Sequence, residues 1–483
     1  MSVMHNNKFL RSSAQLAVVL GVGLLVSACK TFSADGGMEP VSALASYELK
    51  KDVVAIRSKD DAQATRIVVE RLLKRTLTAE TAVQIALLNN HGLQAAYNEL
   101  GIAEATMVAA SLPPNPTISV SRLSDAVEVE IERKIVGNIL ALATLPTRAD
   151  IAADRFRQAQ LRAAEETLRV AAETRRSYYR AVAAREQAGF LAQAKDGAEA
   201  AAQLARRLGE TGALNKLDQA REQIFYAEIT AQLATARQSA ASERERLVRL
   251  MGLWGNDLNF VISKSLPPLP QRPYSAPVVE VEAIRRRVDL QIARIELDAL
   301  AKSYGLTQAT RFINLLEVAH IDKTTRERET GERLRTRGFE LELQIPIFDF
   351  GEVRARQATE TYMQAVNRLT DKAVTVRSQA RDAYRLYRST YDIASHYRRE
   401  LLPLRKIISD ETLLRYNAMQ IDVFVLIAEA RQRIAATSAA IGAQRDFWLA
   451  TVDLSTAVVG GGQGVGGASA IDIMAGSAAP EGH

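Results

Sequence analysis

The stretch FELELQIPIFDFG, residues 339–351, decides how the rest of the chain is read. Phe339, Leu341, Leu343 and Ile345 alternate with Glu340, Glu342 and Gln344, which gives a strand one apolar face and one wet face. Pro346 ends the run, because proline offers no N–H to a ladder and restricts the residue before it. Most of the surrounding sequence reads as long, alanine-rich helix. A short two-faced strand inside a helical protein needs a reason.

The prolines supply a map. They leave two long intervals free, 147–266 and 347–402, and cluster in LPPLPQRPYSAP, 266–277. That cluster divides the chain into two similar halves. LQAAYNEL (93–100) aligns with LQIARIEL (290–297), and LPTRADIAADRFRQA (145–159) with IPIFDFGEVRARQA (345–358), pairing Pro146 with Pro346. The matches keep one order, as an internal duplication would. Each half is predicted to hold a helix (78–110, 278–307), a β-hairpin (about 116–146, 311–347), a very long helix (147–208, 352–416) and a return helix. Thr78 is the expected N-cap of the first helix.

The second pair of strands resembles the first. VEVEIE, 127–132, alternates strictly, and PTISVSR, 116–122, loosely. The densely charged DKTTRERETGERLRTR, 322–337, is expected to be a loop on the far side of a membrane. Strands of about ten residues suit a transmembrane barrel. Four strands cannot close one, and open edges are not tolerated in lipid. A trimer supplies twelve strands. Phe339, Leu341, Leu343 and Ile345 are then expected to face lipid, and Glu340, Glu342 and Gln344 a watery lumen. An amphipathic hairpin on a soluble core is the alternative.

Sixty helical residues at 1.5 Å each reach roughly 90 Å, more than a compact domain needs. Leu161, Ala164, Leu168, Ala171, Arg175, Tyr178 and Val182 follow a 3-4 seam, interrupted by Arg175, as in a coiled coil. The return turns lie at the end of the long helices farthest from the strands and form a tip. Tyr178, Tyr179, Tyr384 and Tyr387 are read as packing between helices rather than as a ligand stripe.

At the N-terminus, Lys8 and Arg11 precede an apolar run and then Val26-Ser27-Ala28-Cys29. The pattern is read as an export signal over 1–28, whose apolar run, Leu16 to Val26, is too short for a comfortable membrane span. VSAC resembles the lipobox of bacterial lipoproteins, which implies a diacylglycerol on Cys29. Lys30 after the cysteine implies sorting to the outer membrane.

LTAETAVQIALLNNHGLQAAYNELGIAEA (77–105), LPPNP (112–116), the hairpins, IPIFDFGEVRARQA and the RYN…VFVLIAEARQ return turn (415–432) together resemble the TolC family of outer-membrane efflux factors, over roughly residues 77–458. The resemblance implies a mainly α fold with a small membrane β part: a trimeric α-helical tunnel of long coiled-coil helices under a twelve-stranded trimeric β-barrel. It implies a homotrimer in a Gram-negative outer membrane with most of its helical mass in the periplasm. Its tip would dock on a periplasmic adaptor fed by an inner-membrane pump of the resistance-nodulation-division type. The family's tip pattern, glycine six residues before aspartate, falls on Gly212 and Asp218 in the first half and on Met419 and Val425 in the second. Gly209, Gly212, Asp218, Met419 and Asp422 are the expected docking positions, with Asp422 or Glu429 available in place of the aspartate. His91 stands where the family often has proline.

No chemistry-bearing constellation appears in the sequence. The five histidines form no ligand pair, VGGGQGVGG (459–467) has no phosphate-loop lysine, and the mixed charges leave no nucleic-acid footprint. The expectation is a passive protein with no cofactor and no catalysis. The domain reading is signal 1–28, extension 29–76, first repeat 77–265, linker 266–277, second repeat 278–458 and flexible tail 459–483. A lipid-anchored periplasmic coiled-coil scaffold or adaptor without a barrel is the competing function. Details around RYNAMQID and FWLATVDL resemble family members linked to metal export, copper included.

Overall fold

The computed structural model describes residues 32–275 and 277–462. The signal, Cys29 and the tail beyond residue 462 lie outside the described residues. In chain order the first half holds α1 (Glu39–Leu44), α2 (Lys59–Leu73), α3 (Ala79–Asn89), α4 (His91–Ser111), β1 (Thr117–Ser124), β2 (Glu128–Asn138), α5 (Ile139–Ala143), α6 (Leu145–Glu210) and α7 (Lys216–Met251). The second half holds α8 (Val279–Arg286), α9 (Val288–Ala309), β3 (Leu315–Glu327), β4 (Arg333–Gln344), α10 (Glu352–His396), α11 (Leu402–Asn417) and α12 (Val423–Val459).

The long helices are equal in length. α6 is an unbroken 66 residues, about 100 Å at 1.5 Å per residue. Its counterpart comprises α10, a π turn over Tyr397–Leu401 and α11, of 45, 5 and 16 residues, end to end the same length. Pro403 explains the π turn. Its missing N–H and its ring cannot be fitted into a regular α-helix, and a wider turn just before it lets the axis run on. The predicted seam on α6 is buried at Ala164, Leu168, Ala171, Tyr178 and Val182. Arg175, its interruption, is neutralised by Glu80 of α3 through two hydrogen bonds of 3.0 and 3.1 Å.

The segments predicted as single first helices are each broken. Thr78 does cap α3, accepting from the N–H of Thr81. Asn90 then takes an extended conformation, with ψ 113°, and its side chain caps α4 by accepting from Leu93 N–H. Its amide donates to the Leu250 carbonyl at 2.8 Å, while Asn89 donates to those of Met251 and Gly252. These two asparagines thus satisfy carbonyls that the end of α7 leaves open. In the second half Arg287 breaks α8 from α9 in the same way, with ψ 121°. Its guanidinium is held by Asp289 and Gln379.

Residues 39–73 of the extension are largely helical and strap both halves together. Ser33 donates to Glu104 of α4, Gln94 of α4 donates to the Val54 carbonyl, and Glu48 accepts from Arg286 of α8. The proline-rich segment is also pinned: Gln444 and Trp448 of α12 donate to the Pro267 carbonyl. The tyrosines pack as expected. Tyr179 stacks on Trp448 with ring centroids 5.2 Å apart, and buried Tyr178 donates to the Leu77 carbonyl. Gly461, the third residue of the segment read as a flexible tail, lies tight against the Leu168 backbone of α6.

Candidate functional site: a two-faced sheet and a helical tip

The two hairpins meet in one antiparallel sheet, order β1-β2-β3-β4, joined through β2 and β3. Strand lengths are 8, 11, 13 and 12 residues. Three boundaries differ from expectation. The apolar ILALATL is α5 and the start of α6, because the Asn138 side chain accepts from Ala141 N–H and turns the chain into a helix. Pro146 sits in the first turn of α6, whereas Pro346 precedes a separate turn before α10, so the two prolines are not conformationally equivalent. That turn needs Gly351, whose φ is +71° and whose added Cβ would stand 2.2 Å from the Arg311 carbonyl oxygen.

The third difference is the charged stretch 322–337. Most of it is strand, and the connection is only residues 328–332. Charge does not prevent the ladder here, since neither face at that end enters a core and cross-strand ion pairs form. Asp322 accepts from Arg335 and lies 3.3 Å from Arg337.

Facing residues in an antiparallel pair project to the same side, so the register sorts the sheet into two faces. One carries Glu340, Glu342 and Gln344. Glu342 lies opposite Glu317, and Glu340 forms a 2.7 Å ion pair with Lys134 two strands away. Lys323 and Glu130 pair on this face as well, at 2.7 Å. The other face carries Phe339, Leu341 and Leu343. Phe339 lies opposite His320, their rings 5.1 Å apart, and the row continues through Ile135 to Ile118. Ile345 follows just past the end of β4. Phe339 is 83% exposed and Leu341 67%, a contiguous apolar surface that a lone protein in water would not keep.

At the opposite end of the long helices the return turns form the tip. Gly212 and Met419 both have positive φ, +75° and +58°. The hydrogen bonds around them repeat: Thr211, Gly212 and Ala213 N–H donate to the Arg207, Gly209 and Leu208 carbonyls, and Ala418, Met419 and Gln420 to those of Leu414, Tyr416 and Arg415. Asn215 caps α7, and Asp422 caps α12. Asp218 is half-buried and paired with Arg221 at 3.0 Å, whereas Val425, its counterpart, is exposed. Gly209 lies in the last turn of α6 against the side chain of Gln219.

Two equivalent residues went unassigned to any role as a pair. Glu222 and Glu429 are each buried, each with one carboxylate oxygen lacking a partner. Arg431 of α12 approaches Glu222 at 3.7 Å and covers the Phe225 ring, and Arg405 holds Glu429 at 3.2 Å. Burial pushes the Glu222 carboxyl above the ordinary carboxylate range, with Arg431 opposing the shift. Their shared spacing from Asn215 and Asp422 was the available signal. Among the described residues no cluster of acids or histidines is arranged to hold a metal ion, and no helix is long and apolar enough to cross a membrane.

The chain thus sets a two-faced sheet built from two hairpins at one end of two long helical runs. A family model described as Outer membrane efflux protein matches residues 280–408. The cobalt-zinc-cadmium resistance protein CzcC of Cupriavidus metallidurans is 26% identical over 309 residues, covering 61% of this chain and 69% of that protein. By these two matches the chain is similar to outer membrane efflux proteins. Solved outer membrane channels share the fold. The Campylobacter jejuni CmeC outer membrane channel aligns with a TM-score of 0.63 at 15% identity, over 87% of this chain and 92% of that one. The open state of the Neisseria gonorrhoeae MtrE outer membrane channel gives 0.63 at 16%, over 81% and 89%. The fold expected from the TolC resemblance is therefore the fold observed in the single chain.

Proposed function

We propose that this chain is an outer membrane efflux protein, that three copies of it close a barrel and that the assembly is the exit duct of a tripartite efflux system. One observation carries the reading: β1 and β4 are the edges of a sheet that has a wet face and an apolar face. Unpaired edge groups in lipid cost several kcal/mol each, so such a sheet is stable in a membrane only when each edge meets a neighbour. Four strands from each of three chains give twelve. The exposed apolar face argues against a soluble hairpin on a periplasmic scaffold.

The wet face, with Glu130, Glu132, Glu317, Glu340 and Glu342 against Lys134 and Lys323, would line the lumen and favour cations. The metal-resistance name of CzcC points the same way. The pore would be passive, with energy supplied by an inner-membrane pump through a periplasmic adaptor that docks at the tip around Gly212, Asp218, Met419 and Asp422. Cys29 would carry the lipid anchor.

Planar-bilayer recording tests the reading. Discrete conductance with a reversal potential on the cation side is expected under a salt gradient. A purified trimer that never conducts, under opening conditions included, contradicts it. Cys29→Ala should abolish acyl labelling yet leave the protein trimeric and dependent on detergent. Release into the soluble fraction would instead fit the scaffold.

A further inference from the structure

The face of the sheet that carries Phe339 changes character along its length. Next to the helices its rows are apolar: Leu343 beside Leu316, Leu341 beside Val318, then Phe339, His320, Ile135 and Ile118. Away from the helices the same face carries Arg122, Arg133, Arg326, Arg333, Arg335 and Arg337. Asp322 is the one carboxylate among them, and it is already engaged by Arg335 and Arg337. The glutamates of these strands project to the opposite side and cannot reach.

Two features show that this band is not self-sufficient. Arg326 lies directly opposite Arg333 across the β3–β4 pair, and like charges so placed destabilise a sheet. Arg122, Arg133, Arg326 and Arg333 are all exposed, and no hydrogen bond or ion pair holds any of them. A fold that gathers unpaired arginines into three successive rows leaves room for an anionic counterpart.

The position of the band says which one. From Ile345 to the Arg337 row is eight steps, roughly 27 Å along the strand and roughly 20 Å in height at a tilt of about 40°. An outer-membrane barrel shows about 25 Å of apolar band. The Arg337 row therefore lies at the edge of the hydrocarbon, and the Arg335 and Arg333 rows follow outward in steps of ~5 Å in height. Arginine on the lipid face costs roughly 2–4 kcal/mol at the midplane but about 0–1 near the interface. At that depth the side chains extend into the headgroup layer. Because the helices occupy the opposite end, this is the outer leaflet.

We propose that this arginine band is a docking surface for phosphorylated glycolipid headgroups of the outer leaflet, repeated three times around the barrel. The proposal rests on the trimeric-barrel reading above. The guanidinium fork matches phosphate oxygens two at a time, and a phosphate between Arg326 and Arg333 removes their mutual repulsion.

The full-length trimer in neutral detergent is titrated with bisphosphorylated lipid A and with the same lipid after phosphate removal, read by native mass spectrometry. Retention of the phosphorylated lipid is expected to be at least about tenfold tighter, as charge-assisted bidentate pairs would give. Inorganic phosphate at equal concentration should not displace it. Arg326→Gln/Arg333→Gln should lose about tenfold, Arg326→Lys/Arg333→Lys should keep most of the binding, and Arg237→Gln/Arg356→Gln, on helices, should change nothing. Equal retention of the two lipids by the native protein overturns the proposal even if the glutamine variant fails to assemble. So does unchanged binding in a glutamine variant that is still trimeric. The same samples are recorded in bilayers: a conducting pore without phosphate preference overturns this inference alone, and a protein that neither trimerises nor conducts overturns both.

Discussion

Gly212 and Met419 occupy the same place in two copies of one turn, each with a left-handed backbone, at the ends of two helical runs of equal length. Glycine takes that conformation freely, whereas an L-residue with a side chain is strained by roughly 1–2 kcal/mol. Met419 is 94% exposed, so no packing compensates it.

The two turns should therefore respond in opposite directions. Gly212→Ala is expected to destabilise its turn by about 1 kcal/mol through the backbone alone, since an added Cβ meets nothing within 4 Å. Met419→Gly is expected to steady the second turn by up to about 1 kcal/mol, less what glycine adds to the freedom of the unfolded chain. Amide hydrogen exchange at residues 213, 214 and 420 reads both. Identical shifts in the two turns would contradict the equivalence.

The break at Asn90 makes a second prediction. The side chain caps α4 and its amide serves α7, so Asn90→Ala removes a cap and leaves the Leu250 carbonyl without that partner. A loss of about 1–3 kcal/mol is expected, measured by denaturant or thermal unfolding. Asn90→Asp keeps the cap but not the donor and should fall between. Full stability in Asn90→Ala would show that the break is set by packing alone.

Much of this was legible in the sequence because duplication repeats the evidence. Thr78, the seam on α6 and the strand 339–344 follow from local chemistry and spacing, and the equivalence of Gly212 with Met419 from the tip pattern that the resemblance implies. The breaks at Asn90 and Arg287 were not legible, since each depends on partners distant in sequence, Leu250 and Gln379. The extent of β4 was hidden differently. Arg333, Arg335 and Arg337 continue the parity of Phe339 and Leu341, but charge density read as loop masked a period of two. The π turn before Pro403 shows that proline need not end a helical run when one wider turn can absorb it.

Glu222 gives the tip a pH dependence with a definite sign. Burial raises its folded pKa above that of the unfolded chain, so the native state binds more protons between those two values. Stability is greatest below the ordinary glutamate range and falls as pH rises through that window up to the raised value. Glu222→Gln should flatten this slope and steady the tip near neutrality, as read by hydrogen exchange in α7 and α12 across pH. An unchanged slope in the variant would place the titrating group elsewhere.

The central claim is that β4 presents one face to a watery pore and the other to lipid. Single cysteines at 340, 342, 341 and 343, in a Cys29→Ala background whose outer-membrane trimer is intact, test it with a charged, membrane-impermeant thiol reagent. Glu340→Cys and Glu342→Cys should label quickly, while Leu341→Cys and Leu343→Cys stay protected until detergent is added. Equal labelling at all four positions, or fast labelling at 341 and 343 with protection at 340 and 342, would contradict the account.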